Sequence, residues 1–166
     1  MSDSNTADKL DIRDVLTKYC RGLDRMDKAM ACSVFSADCI AHYYDMYEGT
    51  GHGFVDWAWE VHAGMERHSH QISNALIEVN GNTAVSEAYV TVALWTNPPE
   101  LTEIVCRGRY LDRWEKREGN WQIVQREHIL DTQSVNGVPV PDAPNSQSRR
   151  DESDPSFKLF PATAKA

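Results

Sequence analysis

Residues 68–95 read HSHQISNALIEVNGNTAVSEAYVTVALW, two runs of alternating character divided by Asn80-Gly81-Asn82. The period changes to about two on both sides of that triplet, most plainly over Ala84, Ala88, Val90, Val92 and Leu94, as in a strand with one buried face. An Asn-Gly pair between two such runs is a strong hairpin signal, because glycine accepts the positive φ that a tight turn demands. The pattern predicts a strand from His68 to Val79 that turns into a strand from Thr83 to Trp95. Asn97-Pro98-Pro99 breaks the run, a third strand is expected over about Glu103 to Lys116, and Glu118-Gly119-Asn120 turns it into a fourth from Trp121 to Ile129.

Towards the start of the chain the period changes. Ile12, Val15, Leu16, Tyr19, Leu23 and Met26 recur at spacings of three and four, the stripe of a helix with one buried face. Asp27 suits the N-cap of a short second helix holding Met30, Val34 and Phe35, and Ser36-Ala37-Asp38 reads as its end before a β-like run from Cys39 to Tyr47. Glu48 to Gly53 reads as a loop, and Phe54, Ala58, Val61 and Met65 mark a third helix that also bears Trp57 and Trp59. Helices first and an antiparallel meander last form an α+β pattern, a curved sheet wrapped around helices. Residues 1–7 are expected as a flexible start, 8–131 as one domain, and 132–166, rich in Pro, Ser, Asn and charge, as a tail on the surface or on a neighbouring subunit.

A chain of 166 residues builds one core of ordinary size. Its formal charge of −8 is spread along the sequence and its basic pairs, such as Arg149-Arg150, are isolated, so nucleic acid is not an expected partner. No apolar run approaches a membrane span, and the polar, acidic start MSDSNTADK does not resemble a signal peptide; a cytoplasmic location is expected. Cys20, Cys32, Cys39 and Cys106 show no CxxC spacing and read as reduced, packed thiols. Neither a Walker loop nor a dinucleotide fingerprint is present, so no nucleotide cofactor is implied.

Tyr19, Asp24 and His70 carry the chemistry that the residues suggest. A carboxylate that hydrogen-bonds one imidazole nitrogen fixes the tautomer and leaves the other as a base, and a nearby phenol donates a proton or a hydrogen bond. The set lacks a strong nucleophile, which favours elimination, hydration or isomerisation over hydrolysis. Strand parity puts His70, Ile72, Asn74 and Leu76 on one side. Each residue also has a plainer role open to it: His70 as a satisfied core or rim residue, Asp24 as a helix-terminal residue, Tyr19 as packing. His68-Ser69-His70, with His42, His52, His62 and His128 elsewhere, suggests imidazole ligands, yet no paired carboxylate or cysteine sits at ligand spacing and no metal is expected. Tyr43, Tyr44, Tyr47, Trp57 and Trp59 are candidate walls for a flat apolar ligand as well as core residues.

The order and spacing of Tyr19-Cys-Arg-Gly-Leu-Asp24, Phe35-Ser-Ala-Asp38, His70-Gln-Ile-Ser-Asn74, Gly81-Asn-Thr-Ala84 and Arg109-Tyr-Leu-Asp-Arg-Trp114 running into Gly119-Asn-Trp121 resemble the SnoaL-like family. That family shares a cone-shaped fold with scytalone dehydratase, bile-acid 7α-dehydratase, hexachlorocyclohexane dehydrochlorinase and, more distantly, ketosteroid isomerase and nuclear transport factor 2. The resemblance spans Asp8 to Asp131 and implies an α+β barrel-like cone. It implies that His70 and Asp24 form the acid–base dyad, that Tyr19 is the dehydratase tyrosine, and that Tyr43 is a second pocket residue. Arg126 resembles a polar pocket residue on the last strand, and Asn74, Trp57 and Val90 are expected to touch substrate. Scytalone dehydratase has a further histidine on the strand after the dyad histidine; none lies between Ala84 and Trp95, so scytalone itself is not the expected substrate.

The expected function is a cofactor-independent lyase of dehydratase type acting on a hydrophobic cyclic or aromatic compound, such as a steroid, polyketide or plant aromatic. A retro-aldol lyase releasing an aldehyde, and a ketosteroid-type isomerase or cyclase, remain open. So does a non-catalytic small subunit of an aromatic-ring dioxygenase or an adaptor. The resemblance also implies a homo-oligomer formed through the outer face of the sheet, a trimer ahead of a dimer.

Overall fold

The stripe on the first helix decides where the interior lies. In the computed structural model, which describes residues 2–141 and 148–160, helix α1 runs Ser2–Asp24 and buries Ile12, Leu16, Tyr19 and Leu23 almost completely. Each aliphatic side chain so buried contributes about 1.5–3 kcal/mol. Met26 does not close the stripe: the helix has ended, its φ of 53° turns the chain, and its side chain is exposed. At the other end α1 reaches back into the expected flexible start, and buried Asp8 anchors it, accepting hydrogen bonds from Lys116 and from the Trp121 indole. Asp27 caps α2 (Lys28–Ser33), its carboxylate accepting the Met30 N–H.

Two readings of the next segment change. Ser36-Ala37-Asp38 lies inside strand β1 (Phe35–Tyr43), because Phe35 and Ser36 are buried and Phe35 already pairs with Ile123. The predicted run to Tyr47 folds at Tyr44, whose φ is 51°, so β2 (Tyr47–Thr50) pairs back on β1 with Tyr43 opposite Tyr47. The expected loop from Glu48 to Gly53 is instead the end of β2 and the start of α3 (Gly51–Ala63). Thr50 caps that helix by accepting the Gly53 N–H. Gly51 is a glycine for packing rather than for a loop: a Cβ there would stand 2.6 Å from the Phe35 ring.

The four predicted strands follow as β3 (Met65–Asn80), β4 (Thr83–Thr96), β5 (Glu103–Arg117) and β6 (Asn120–Val135), with a short β7 (Val138–Pro139). The order is β2-β1-β6-β5-β4-β3, with β7 on β6, and the curved sheet stays unclosed. Every pairing is antiparallel except β1 with β6, which is parallel and makes the sheet mixed.

A bulge in β3 sets which side chains enter the cone. Ile72 lies opposite Val90 but Ala75 lies opposite Ala88, so β3 carries one extra residue and its side-chain parity flips. His70 and Ile72 face inward, and beyond the bulge Ala75, Ile77 and Val79 pack on the core, while Asn74 and Leu76 are exposed. The expected face of His70, Ile72, Asn74 and Leu76 therefore breaks after Ile72.

Strand β6 continues six residues past its predicted end at Ile129, so the start of the expected tail is sheet. Residues 148–160, with helix α4 (Ser156–Leu159), lie on the chain's own outer sheet face. There Arg109 donates to both Asp154 oxygens at 2.9 and 3.0 Å and to Glu87 at 2.8 Å, while Leu159 packs on Leu111 and Ile129. Residue 1 and the tail at 142–147 and 161–166 lie outside the described residues. Among the described residues no helix is long and apolar enough to cross a membrane, and the four cysteines are free thiols.

Candidate active site

Between α1, α3 and the concave face of the sheet lies a cavity of about 360 Å³. Its walls are mainly apolar, with Leu23, Phe54, Trp57, Val92, Leu94 and Leu130 among them. Tyr19, Tyr43, His62, His70 and His128 supply its polar groups.

Asp24 ends α1, and the inward turn of β3 brings His70 against it. The His70 Nδ1 to Asp24 Oδ1 distance is 2.7 Å, and the His70 backbone N–H donates to both carboxylate oxygens at 3.0 Å. One residue thus engages the carboxylate through both main chain and side chain, which fixes position and ring orientation together. Burial pushes the Asp24 carboxyl up, but the hydrogen bonds from His70 outweigh it and leave the group below its ordinary value. An ionised Asp24 accepts Nδ1–H, so the neutral ring keeps its bare lone pair on Nε2. Asp24 stands behind His70 rather than on the cavity wall.

His68 and His62 complete a cluster around this pair. The His68 Nδ1 lies 3.9 Å from Asp24 Oδ1, and the His62 ring stands 4.3 Å from that of His68 and 5.6 Å from that of His70, centre to centre. Burial holds both flanking imidazoles below their ordinary values, His62 at about 3, so they stay uncharged. Among the described residues no group of three His, Cys, Asp or Glu side chains is arranged to hold a metal ion.

The second polar feature is a pair of phenols. Tyr19 Oη and Tyr43 Oη are 2.8 Å apart, and burial raises both well above the usual phenol value, so both remain protonated donors. One hydroxyl donates to the other, which leaves one O–H proton for a ligand. The rings are held firmly: Tyr43 stacks on Phe54 at 3.4 Å between centres, and the Arg126 guanidinium sits 4.5 Å over Tyr19 and 4.0 Å over Tyr110.

Arg126 itself does not line the cavity. Its side chain is fully inaccessible, bonded to Asp112 through Nε and a terminal nitrogen at 2.7 Å each, one layer beneath the phenols. Its side chain turns inward, but it supports Tyr19, Tyr110 and, at 3.4 Å, the Tyr43 hydroxyl instead of meeting a ligand. Val90 is also displaced from its expected role: it is core beneath the wall formed by Val92 and Leu94. Asn74 is exposed by the β3 bulge and reaches no wall. Trp57 lies on the wall as expected, with Tyr44, whereas Tyr47 and Trp59 pack on the core.

In the sequence His62 and His128 stand only as further imidazoles. Both had a readable signal: His62 continues the Phe54, Ala58 stripe at a spacing of four, and His128 follows inward-facing Arg126 by two on a strand. Tyr110 and Cys106, on β5, needed the register against β4 and β6.

Comparison with known proteins agrees with this architecture. The family model described as SnoaL-like domain matches residues 4–127, and the chain belongs to that family. No curated protein sequence matches the chain. Among solved structures, a candidate scytalone dehydratase from Novosphingobium aromaticivorans superposes with a TM-score of 0.74 at 22% identity, covering 81% of this chain and 91% of that one. A hexachlorocyclohexane dehydrochlorinase from Novosphingobium barchaimii superposes with a TM-score of 0.68 at 15% identity, covering 83% and 93%. A Mycobacterium tuberculosis protein of unknown function gives 0.67 at 25% identity, covering 78% and 75%. These likenesses establish the shared fold.

Proposed function

We propose that the protein is a lyase of dehydratase type that needs no cofactor, with His70 as the proton-transfer residue and Asp24 as the residue that orients it. The observation that carries this reading is the 2.7 Å His70–Asp24 contact at the edge of an apolar cavity. His70 Nε2 takes a proton from carbon next to a carbonyl or conjugated group of the substrate. The Tyr19–Tyr43 pair donates a hydrogen bond to the oxygen on which negative charge develops, and the imidazolium then passes its proton to the departing hydroxyl, releasing water. The names of the dehydratase and dehydrochlorinase neighbours support an elimination. A binding module has no evident use for a carboxylate held by three hydrogen bonds next to a greasy hollow.

The cavity lies at the small end of the roughly 300–1,000 Å³ usual for small-molecule sites. A substrate of one or two rings suits it better than a four-ring steroid. The test is a screen of hydroxylated cyclic and aromatic compounds for release of water, with aldehyde release and isomerisation monitored in parallel. On an active compound, His70→Gln should lower kcat by about 10²–10⁴, the usual contribution of a positioned acid–base group. A variant that kept wild-type turnover would remove His70 from the mechanism.

A further inference from the structure

The cavity holds an imidazole that the dyad does not use. His128 enters from β6, three places from β3 in the sheet order, so the two histidines stand on different walls, with roughly 14 Å of curved sheet between their strands. Its neighbours are the phenols: His128 pairs with Tyr43 on β1 and with Tyr110 on β5, and the ring centres lie 5.8 and 5.5 Å apart.

The surroundings of the ring leave it unsatisfied. His128 is only 6% exposed, and its Nδ1 is buried with no hydrogen-bond partner among the described residues. An unmatched buried polar atom of this kind costs about 1–3 kcal/mol, recovered when the ring turns to offer it to a ligand oxygen in the cavity that His128 lines. Burial, with the charge of Arg126 nearby, holds the ring at about 4, so it meets a ligand uncharged, with one donor and one acceptor nitrogen. The chain also makes room for it. A Cβ at Gly108 would collide with the Ile129 carbonyl and stand 3.1 Å from His128 Nε2, so the residue beside the ring is the one that has no side chain.

We propose that His128 is a second polar anchor of the cavity, hydrogen-bonding a hydroxyl or carbonyl oxygen of a one- or two-ring substrate beside Tyr43. In that pose the substrate's reacting carbon lies towards His70, an assignment that rests on the lyase reading above. The substrate class that follows is a ring compound oxygenated at two places: one oxygen for recognition at the His128 and tyrosine wall, and one hydroxyl for departure at the His70 wall. A compound with a single hydroxyl leaves one of the two walls unmatched.

The experiment compares the binding of 2-naphthol and naphthalene to the full chain by calorimetry or ligand-observed NMR. The ratio of their dissociation constants isolates the hydroxyl, and a typical buried hydrogen bond makes it worth roughly 3- to 10-fold. His128→Phe, close in size, should remove that preference while naphthalene binding persists. His128→Gln, which keeps a donor and an acceptor, should restore part of it, and His70→Gln should leave it intact. An unchanged ratio in a natively folded His128→Phe, or loss of the preference in His70→Gln instead, overturns the proposal; in either case loss of turnover in His70→Gln would still uphold the lyase reading. Failure of the wild-type chain to bind either compound would overturn the one- or two-ring assignment and the His128 proposal with it, while the lyase reading would still stand or fall on the turnover screen.

Discussion

Replacing His128 by Gln should flatten the loss of stability on acidification, by an amount the structure allows one to work out. In the folded chain the ring titrates at about 4, against an ordinary value of 6.5. Above 6.5 both folded and unfolded chains hold it neutral and it adds no pH dependence. Below that value the unfolded ring takes up a proton that the buried ring does not, so stability falls with pH until about 4, where the folded ring also becomes charged. The gap corresponds to about 3 kcal/mol in full, of which about 2 kcal/mol is lost between pH 7 and pH 5. Urea unfolding of the wild type and of His128→Gln over that range provides the assay. Other groups, His62 among them, add slope of the same sign, but they are common to both proteins, and the difference isolates His128. Two stability curves that run parallel from pH 7 to pH 5 would refute the burial of a neutral imidazole at this position.

The Asp112–Arg126 pair beneath the phenols is inaccessible to water, so Asp112→Ala should cost about 3–5 kcal/mol in urea unfolding by leaving a buried guanidinium unpaired, and Arg126→Met combined with Asp112→Leu should recover much of it. Asp24→Asn should lower kcat by about 10²–10⁴ with little change in KM on any substrate found, because it disturbs the tautomer of His70 rather than the cavity. Tyr43→Phe should weaken binding of an oxygenated ligand by about 1 kcal/mol in a calorimetric titration, since it removes the hydroxyl that stands beside His128 in the cavity. On the outer face, Asp154→Ala should speed proteolysis within residues 148–160, which Arg109 otherwise ties to the sheet; an unchanged cleavage rate would show that the Arg109–Asp154 pair does not hold the segment.

The parts of this fold that were legible in the sequence are those written in local periodicity. The α1 stripe, the Asp27 cap and the hairpins at Gly81 and Gly119 follow from residue spacing and turn chemistry, and the structure contains them. What local pattern does not encode is the partner of a strand. The parallel pairing of β1 with β6 joins segments some 85 residues apart, such as Ala41 with Arg126, and no residue in either announces the other. A bulge is only half visible: one extra residue between Ile72 and Ala75 sends Asn74 outward and brings Ala75 in, and the polar pair Ser73-Asn74 followed by the apolar run Ala75-Leu76-Ile77 interrupts the alternation without saying which strand carries the extra residue. Gly51 and Thr50 illustrate a third limit, since glycine chosen for contact with Phe35 looks the same as glycine chosen for a loop. The candidate site divides along the same line. Of the residues that the resemblance groups, His70 meets Asp24 and Tyr19 meets Tyr43, whereas the depth of Arg126 and the place of His128 depend on the sheet's register.

The proposed chemistry requires that Asp24 fix the ring of His70 so that its bare nitrogen faces the cavity. Long-range proton–nitrogen NMR of the histidine side chains tests it most directly, with His70 assigned through His70→Gln. The wild type should show one tautomer for His70, with its hydrogen on Nδ1, and Asp24→Ala a mixture of both. A hydrogen on Nε2 in the wild type, or an unaltered spectrum in Asp24→Ala, would contradict it.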